Sequence, residues 1–260
     1  MSRGTGSKTR QIAITIAYYC CYLALTVLSI IIGSAHSLVA IFICKKAPDS
    51  VLRLNTWRYG VLWTKLLALF TPLTVTGNDQ PLPVPCILVL NHQSYFDPYC
   101  LGFLPPSIGG RVNFWVTSWP FSIPVFGLYM RTVGYIDIMK NSGEESIERS
   151  KRLLKQGVSI AVFPEGTRST AGVLGKFRIG VFKLAMETGI SIVPICISGL
   201  GAFAPKGRFL INKSQVCIKV LPPVMPAGYA SEKPLPERSL SRAVHSLLQK
   251  AGNQAKCHTI

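Results

Sequence analysis

A chain of 260 residues can bury a full core as one large domain, or as one domain with an appended segment. Hydrophobic residues make up 48% of it, and 28 Lys plus Arg against 11 Asp plus Glu give a formal charge of +17. That balance points to an anionic partner, and the apolar bias, with no recognisable nucleic-acid motif, sets nucleic acid aside in favour of a lipid surface.

The first element is a charge-free run. From Gln11 to Cys44 there is no Asp, Glu, Lys or Arg. As one helix it would be about 50 Å long, against a bilayer hydrocarbon core of about 30 Å. It must tilt, extend past the bilayer or bend, and Gly33-Ser34-Ala35-His36 is the weak point for a bend. Arg3, Lys8 and Arg10 precede the run and Lys45-Lys46 follow it. Positive charge at both ends fits a shallow hairpin with cytoplasmic flanks, and a single span remains compatible. The run is too long for a cleaved signal peptide and continues past the small residues near Ser34, so a retained anchor is expected.

The stretch 50–70 reads as an amphipathic helix, with Leu54, Trp57 and Val61 on one face and Arg58 and Lys65 on another. That face suits either an anionic interface or the core of the domain. Residues 1–70 are thus expected to form the anchoring segment, and 71–260 a globular domain.

Beyond residue 71, short apolar runs alternate with helical patterns. Strands are predicted at 73–77, 86–90, 112–117, 159–163, 190–197 and 215–221. A helix is predicted over 144–156, capped by Asn141 or Ser142 and stopped by Gly157, and another over 178–188, ended by Gly189. Residues 221–236 are Pro-rich and read as a loop before a last helix at 237–250. Continuous apolar strands between helices predict an α/β domain whose sheet is covered on both faces. Ligands in such sheets bind beyond the carboxyl ends of the strands. The eight cysteines form no CxxC or zinc-type cluster and are expected as reduced, mostly buried thiols.

Two motifs stand at strand ends. NHQSYFD (91–97) follows the run CILVL and holds His92, one of four histidines. Asp97 could simply cap a helix with Pro98 at its first position, but that leaves His92 unexplained. If the loop curls back, Asp97 accepts from one imidazole nitrogen and the other is left to take a proton from a hydroxyl. No GxSxG elbow occurs, so a base acting on a substrate hydroxyl fits better than a serine nucleophile. FPEGTRS (163–169) makes a turn after a second strand. It carries Glu165, scarce in an acid-poor chain, and Arg168, whose fork suits phosphate.

These residues resemble the glycerolipid acyltransferases of the 1-acylglycerol-3-phosphate acyltransferase type. NHQSYFD matches NHxxxxD, FPEGTR is the family's second signature, and SIVPI with Pro194 is similar to its fourth block. FRIGVFKLA (177–185) resembles its Phe-Lys-x-Gly stretch, with Arg178 in the lysine place. The resemblance covers roughly residues 71–225. It implies a mixed α/β sheet flanked by helices, with the anchoring helix or hairpin appended to a catalytic domain at 71–260. His92 would be the general base and Asp97 its orienting partner. Glu165, Gly166, Thr167 and Arg168 would serve the acceptor, with Arg168 on its phosphate. The acyl donor would be acyl-CoA or an acyl carrier protein and the acceptor a membrane lipid, 1-acylglycerol-3-phosphate, converted to phosphatidate. No metal or other cofactor is implied. The expected place is an anionic membrane surface, the cytoplasmic face of the cell membrane in a bacterium. Two positions depart from the family. GYIDIMK (134–140) has Lys140 where an arginine is usual, with Arg131 just upstream, and Thr117 or Ser118 stands near the usual lysine. Another lysolipid acceptor is therefore the nearest alternative, and a non-catalytic lipid-binding membrane protein the alternative from another class.

Overall fold

The structure is a computed structural model and describes residues 3–169 and 173–257, with side chains described from Lys8 to Gln254. The expectations that named the Arg3 charge and the Cys257 thiol lie outside the described side chains. The chain begins with helix α1 (Arg3–Leu38), which passes through a π-helical turn at Val39–Ile43, and returns as α2 (Pro48–Phe70). The contacts between them run in opposite directions. Asn55 donates to the Gly33 carbonyl, the Thr26 and Tyr59 hydroxyls meet at 2.9 Å, and the Tyr18 and Phe70 rings meet edge-on. The two helices are therefore an antiparallel hairpin. Its turn lies at Cys44–Ala47, and of the alternatives for the long run a bend at Gly33–His36 is not taken, since α1 runs on to Leu38. The Gly33 carbonyl there accepts from both Ser37 Oγ and Asn55 Nδ2, which holds the helix together where glycine was expected to loosen it. The long apolar helix leaves Leu23, Ile30, Ile31 and Phe42 more than half exposed. On α2 the buried stripe is Val51, Gly60, Trp63 and Leu67; Leu54, Trp57 and Val61 are half-buried at its border.

After α2 come β1 (Leu73–Thr76), β2 (Ile87–Leu90), a 3-10 helix at Asp97–Phe103, α3 (Pro106–Gly109) and β3 (Val112–Val116). Then follow α4 (Phe126–Val133), β4 (Ile136–Asp137), α5 (Gly143–Lys155), β5 (Ser159–Val162) and α6 (Gly180–Thr188). The chain ends with β6 (Ile192–Ser198), α7 (Leu200–Phe203), β7 (Val216–Val220) and α8 (Pro236–Cys257). The seven strands form one sheet in the order β1-β7-β6-β2-β5-β3-β4. It is mixed: β6, β2, β5, β3 and β4 are parallel, β7 runs antiparallel to β6, and β1 is parallel to β7. All six predicted strands are present. The seventh, β4, has two residues, too few to carry a periodic signal.

The sheet separates two layers. Leu88, Leu90, Ala161, Val193 and Ile195 pack with Tyr18, Trp63 and Leu67 of the hairpin and with the 3-10 helix. Ile87, Val89, Ile160, Val162 and Cys196 point the other way, against α5, α6 and α8. Both faces being apolar is why the strands read as unbroken hydrophobic runs. Helix α8 continues past the predicted 250 because Leu240, Val244, Leu248 and Ala251 carry one buried face to its last turns. Ser142, not Asn141, caps α5, its side chain accepting from the Glu145 N–H. Cys86, Cys100 and Cys196 are buried, whereas Cys20, Cys21 and Cys44 are exposed on the apolar helix and its turn. The thiols are thus less buried than expected, because α1 leaves its apolar side chains uncovered.

Candidate active site

The central strand β2 ends at Leu90, and the chain beyond it is pinned at once. Buried Asn91 donates from Nδ2 to the Ile197 carbonyl and accepts from the Ile197 N–H at Oδ1, locking the strand end onto β6. The chain then curls back, as the aspartate–histidine spacing predicts. Asp97 Oδ2 accepts from His92 Nδ1 at 2.7 Å, from the Gln93 N–H at 2.5 Å and from the Ser94 N–H at 2.8 Å. Asp97 opens the 3-10 helix with Pro98 behind it, but its carboxylate turns backward into the loop and caps no helix.

The Asp97 side chain is 0% exposed and that of His92 is 21% exposed. Burial pushes the Asp97 carboxyl above its ordinary range, against the pull of the His92 bond and the two backbone donors. Its second oxygen has no partner among the described residues. With Oδ2 accepting, Nδ1 is the donor of the neutral ring and Nε2 its acceptor. The His92 ring also lies on that of Phe163, centroids 4.4 Å apart. Such a pair can take a proton from a hydroxyl at the opening and hold it against a buried countercharge.

The loop after β5 grips the His92 backbone from the other side. Glu165 Oε1 accepts from the His92 N–H at 2.8 Å, and Oε2 accepts from the Gly175 N–H at 2.8 Å. The His92 carbonyl accepts from both the N–H and the hydroxyl of Ser169. Glu165 is thus a buried brace, with both oxygens on backbone donors, and burial raises its pKa against those two bonds. Gly166 turns at φ +70°, and a Cβ there would stand 2.8 Å from Arg178 Nε, so Arg178 covers the turn. Thr167 is exposed. The Arg168 guanidinium lies 3.5 Å from the centroid of the Tyr95 ring, a cation–π contact, and Tyr95 meets Trp119 edge-on.

His92, Asp97, Glu165, Gly166, Thr167, Arg168 and Arg178 therefore gather around two adjacent strand ends. Lys140 and Arg131 make their hydrogen bonds elsewhere. Lys140 is exposed at the end of β4, where its N–H donates to Asp137, and Arg131 Nη1 donates to the Phe121 carbonyl beside α4. Asp137 also accepts from Ser118 Oγ at 2.6 Å, tying the ends of β3 and β4 together. The bracing residues Asn91, Ser169 and Gly175 were not singled out from sequence, nor were Tyr95, Trp119 and Phe163. Asn91 and Ser169 are the end residues of the two motifs and could have been suspected. Cys100 is packed in the 3-10 helix, and burial beside the Asp97 charge holds its thiol well above the usual range. Among the described residues no group of three or more His, Cys, Asp or Glu could hold a metal ion.

Residues 73–198 match the family model described as Acyltransferase. The chain is similar to chloroplastic 1-acyl-sn-glycerol-3-phosphate acyltransferases of Brassica napus, 36% identical over 54% of this chain and 41% of that protein, and of Arabidopsis thaliana, 35% identical over 63% and 47%. It thus spans about half the length of these curated relatives. The crystal structure of the 1-acyl-sn-glycerophosphate acyltransferase PlsC from Thermotoga maritima superposes with a TM-score of 0.75 at 26% identity, covering 96% of this chain and 97% of that one.

Proposed function

Residues 73–198 form a domain of the acyltransferase family, and from that premise we propose that the chain acylates the sn-2 hydroxyl of 1-acylglycerol-3-phosphate to give phosphatidate. His92 Nε2 takes the hydroxyl proton as the oxygen attacks the carbonyl of a fatty acyl thioester, carried by coenzyme A or an acyl carrier protein. Asp97 holds Nδ1 and stabilises the imidazolium that forms. When the tetrahedral intermediate collapses, the C–S bond breaks and the departing thiolate takes the proton from His92. The new ester and the free carrier thiol leave the enzyme as it began. The 2.7 Å bond between a fully buried Asp97 and a partly exposed His92 carries this reading.

Glu165 and Ser169 act through the His92 backbone as positioning residues. Arg168, with Arg178 covering the adjoining Gly166 turn, supplies the charge for the acceptor phosphate, while Lys140 follows β4 and Arg131 sits on α4. The apolar hairpin holds the domain at the membrane that supplies the acceptor. Among acyltransferases, a different lysolipid acceptor is the second reading, favoured by Lys140 standing where the family usually has an arginine. A non-catalytic lipid binder has no use for a buried carboxyl whose burial is unfavourable.

The test is transfer from a labelled acyl thioester to a panel of lysolipids, with wild type and His92→Ala side by side in detergent or lipid. The expected result is phosphatidate formation that falls by about a hundredfold to ten-thousandfold in the variant. Turnover at the wild-type rate in His92→Ala would remove the general-base role. Arg168→Ala is expected to raise KM for the phosphorylated acceptor, costing about 2 to 4 kcal/mol of acceptor binding, with little effect on the donor. An unchanged acceptor KM would take the phosphate away from Arg168.

A further inference from the structure

On the side of the sheet away from the apolar hairpin lies a cleft of about 780 Å³, between α8 and the segment entering α6. Its walls carry Lys176 and Phe177 from that segment, Lys233 from the Pro-rich loop, and Arg238, Arg242 and His245 from α8. No Asp or Glu lines it. The four lysines and arginines are exposed, and none has a carboxylate partner among the described residues. Four unpaired positive charges around one concavity repel each other, and a multiply charged anion relieves them. The volume is that of a small-molecule site.

The cleft is also connected to the dyad. His245 Nε2 lies 3.2 Å from the Gly175 carbonyl, the Gly175 N–H donates to Glu165, and the same carboxylate accepts from the His92 N–H. One loop thus separates the basic cleft from the candidate base. The cleft lies beside α6 and α8, on the opposite side of the sheet from the apolar hairpin. A soluble thioester donor can reach this cleft without crossing the hairpin.

Resting on the acyltransferase reading above, we propose that this cleft binds the phosphates of the coenzyme A portion of an acyl-CoA donor. Lys176, Lys233, Arg238 and Arg242 hold the phosphate groups, and the flexible pantetheine arm carries the thioester around the 163–178 loop to His92. The donor and the acceptor phosphate then occupy separate basic sites, the one beside α8 and the other at Arg168 and Arg178.

The test is equilibrium binding of coenzyme A itself to the full chain in neutral-lipid nanodiscs, comparing wild type with Arg238→Glu/Arg242→Glu. The milder Arg238→Gln/Arg242→Gln guards against misfolding, and thermal unfolding is followed for all three. The expected result is a loss of about tenfold or more in coenzyme A affinity for the charge reversal and a smaller loss for the amide pair. KM for acyl-CoA should rise in parallel while KM for the lysolipid stays put, and the difference should vanish with an S-acyl pantetheine, which has no phosphate. Unchanged coenzyme A binding in a folded charge-reversal variant would overturn the assignment. So would a defect confined to acyl carrier protein, or a loss of binding to anionic vesicles with coenzyme A binding intact. His92→Ala separates the two claims, since it should bind coenzyme A normally while transferring nothing. Coenzyme A binding without transfer in the wild type would break the acyltransferase reading and leave the cleft standing.

Discussion

The two layers of this domain hold the two halves of the dyad by different means. Asp97 is held by packing. Its 3-10 helix carries Phe96 against Tyr18 and Trp63 of the hairpin, and at Gly102 it crosses α2 so closely that a Cβ would lie 2.1 Å from the Gly60 carbonyl carbon. His92 is held by hydrogen bonds, through Glu165, Ser169 and the link to His245 on α8. The acid needs a dry, rigid wall and gets it from the apolar layer. His92 stays partly open, its ring held by Asp97 and Phe163 and its backbone by polar groups that tolerate nearby water.

Removing the brace should break the hydrogen-bonded half most severely. Glu165→Ala leaves the His92 and Gly175 N–H groups without their acceptor, a destabilisation of about 2 to 6 kcal/mol if the loop stays closed. Denaturant unfolding reads the loss, and acyl transfer should fall with it. Full stability in this variant would mean that the loop finds other acceptors and the brace is dispensable. Gly102→Ala tests the packed half. Forcing a methyl group into the Gly60 crossing should cost about 1 to 3 kcal/mol, seen as a lower Tm, with Asp97 displaced and transfer reduced. An unchanged Tm would show that α2 and the 3-10 helix can slide apart.

Asp97→Asn sharpens the contrast with the smallest change in stability and the clearest sign. Burial raises the folded-state pKa of Asp97, so the folded chain binds this proton more tightly than the unfolded one. The stabilisation that this gives is present at acid pH and is lost as pH rises through the raised pKa. Above the raised pKa the ionised carboxylate therefore weakens the fold, and the neutral amide, which can still accept from Gln93 and Ser94, should be the more stable there by about 1 kcal/mol. That advantage should shrink as pH falls through the carboxylate range, while transfer is lost at every pH. An advantage that grew on acidification would reverse the assigned direction.

How much of this was readable in the sequence depends on distance along the chain. The strands announced themselves as mostly apolar stretches of four to seven residues because both faces of the sheet are covered. The dyad was legible because its two members are five residues apart. Helix ends at Ser142 and Gly189 followed from capping chemistry. Gly33 read as a weak point for a bend, while in the structure Asn55 on the opposite limb ties its carbonyl down. The buried stripe of α2 lay off the predicted one because Gly60 contributes by allowing contact, which no hydrophobicity pattern records. His245 carried no local signal, since its link to the site spans 70 residues.

Those separations also order events in time. His92 and Asp97 can find each other as soon as residue 97 exists, but the brace on the His92 N–H comes from Glu165, 73 residues later, and the lock on Asn91 comes from Ile197, 106 residues away. Contacts of such span form late, after the entropy of closing long loops has been overcome. During synthesis the dyad is thus present long before it is aligned, and the growing chain holds no braced His92 until β5 and β6 have joined the sheet.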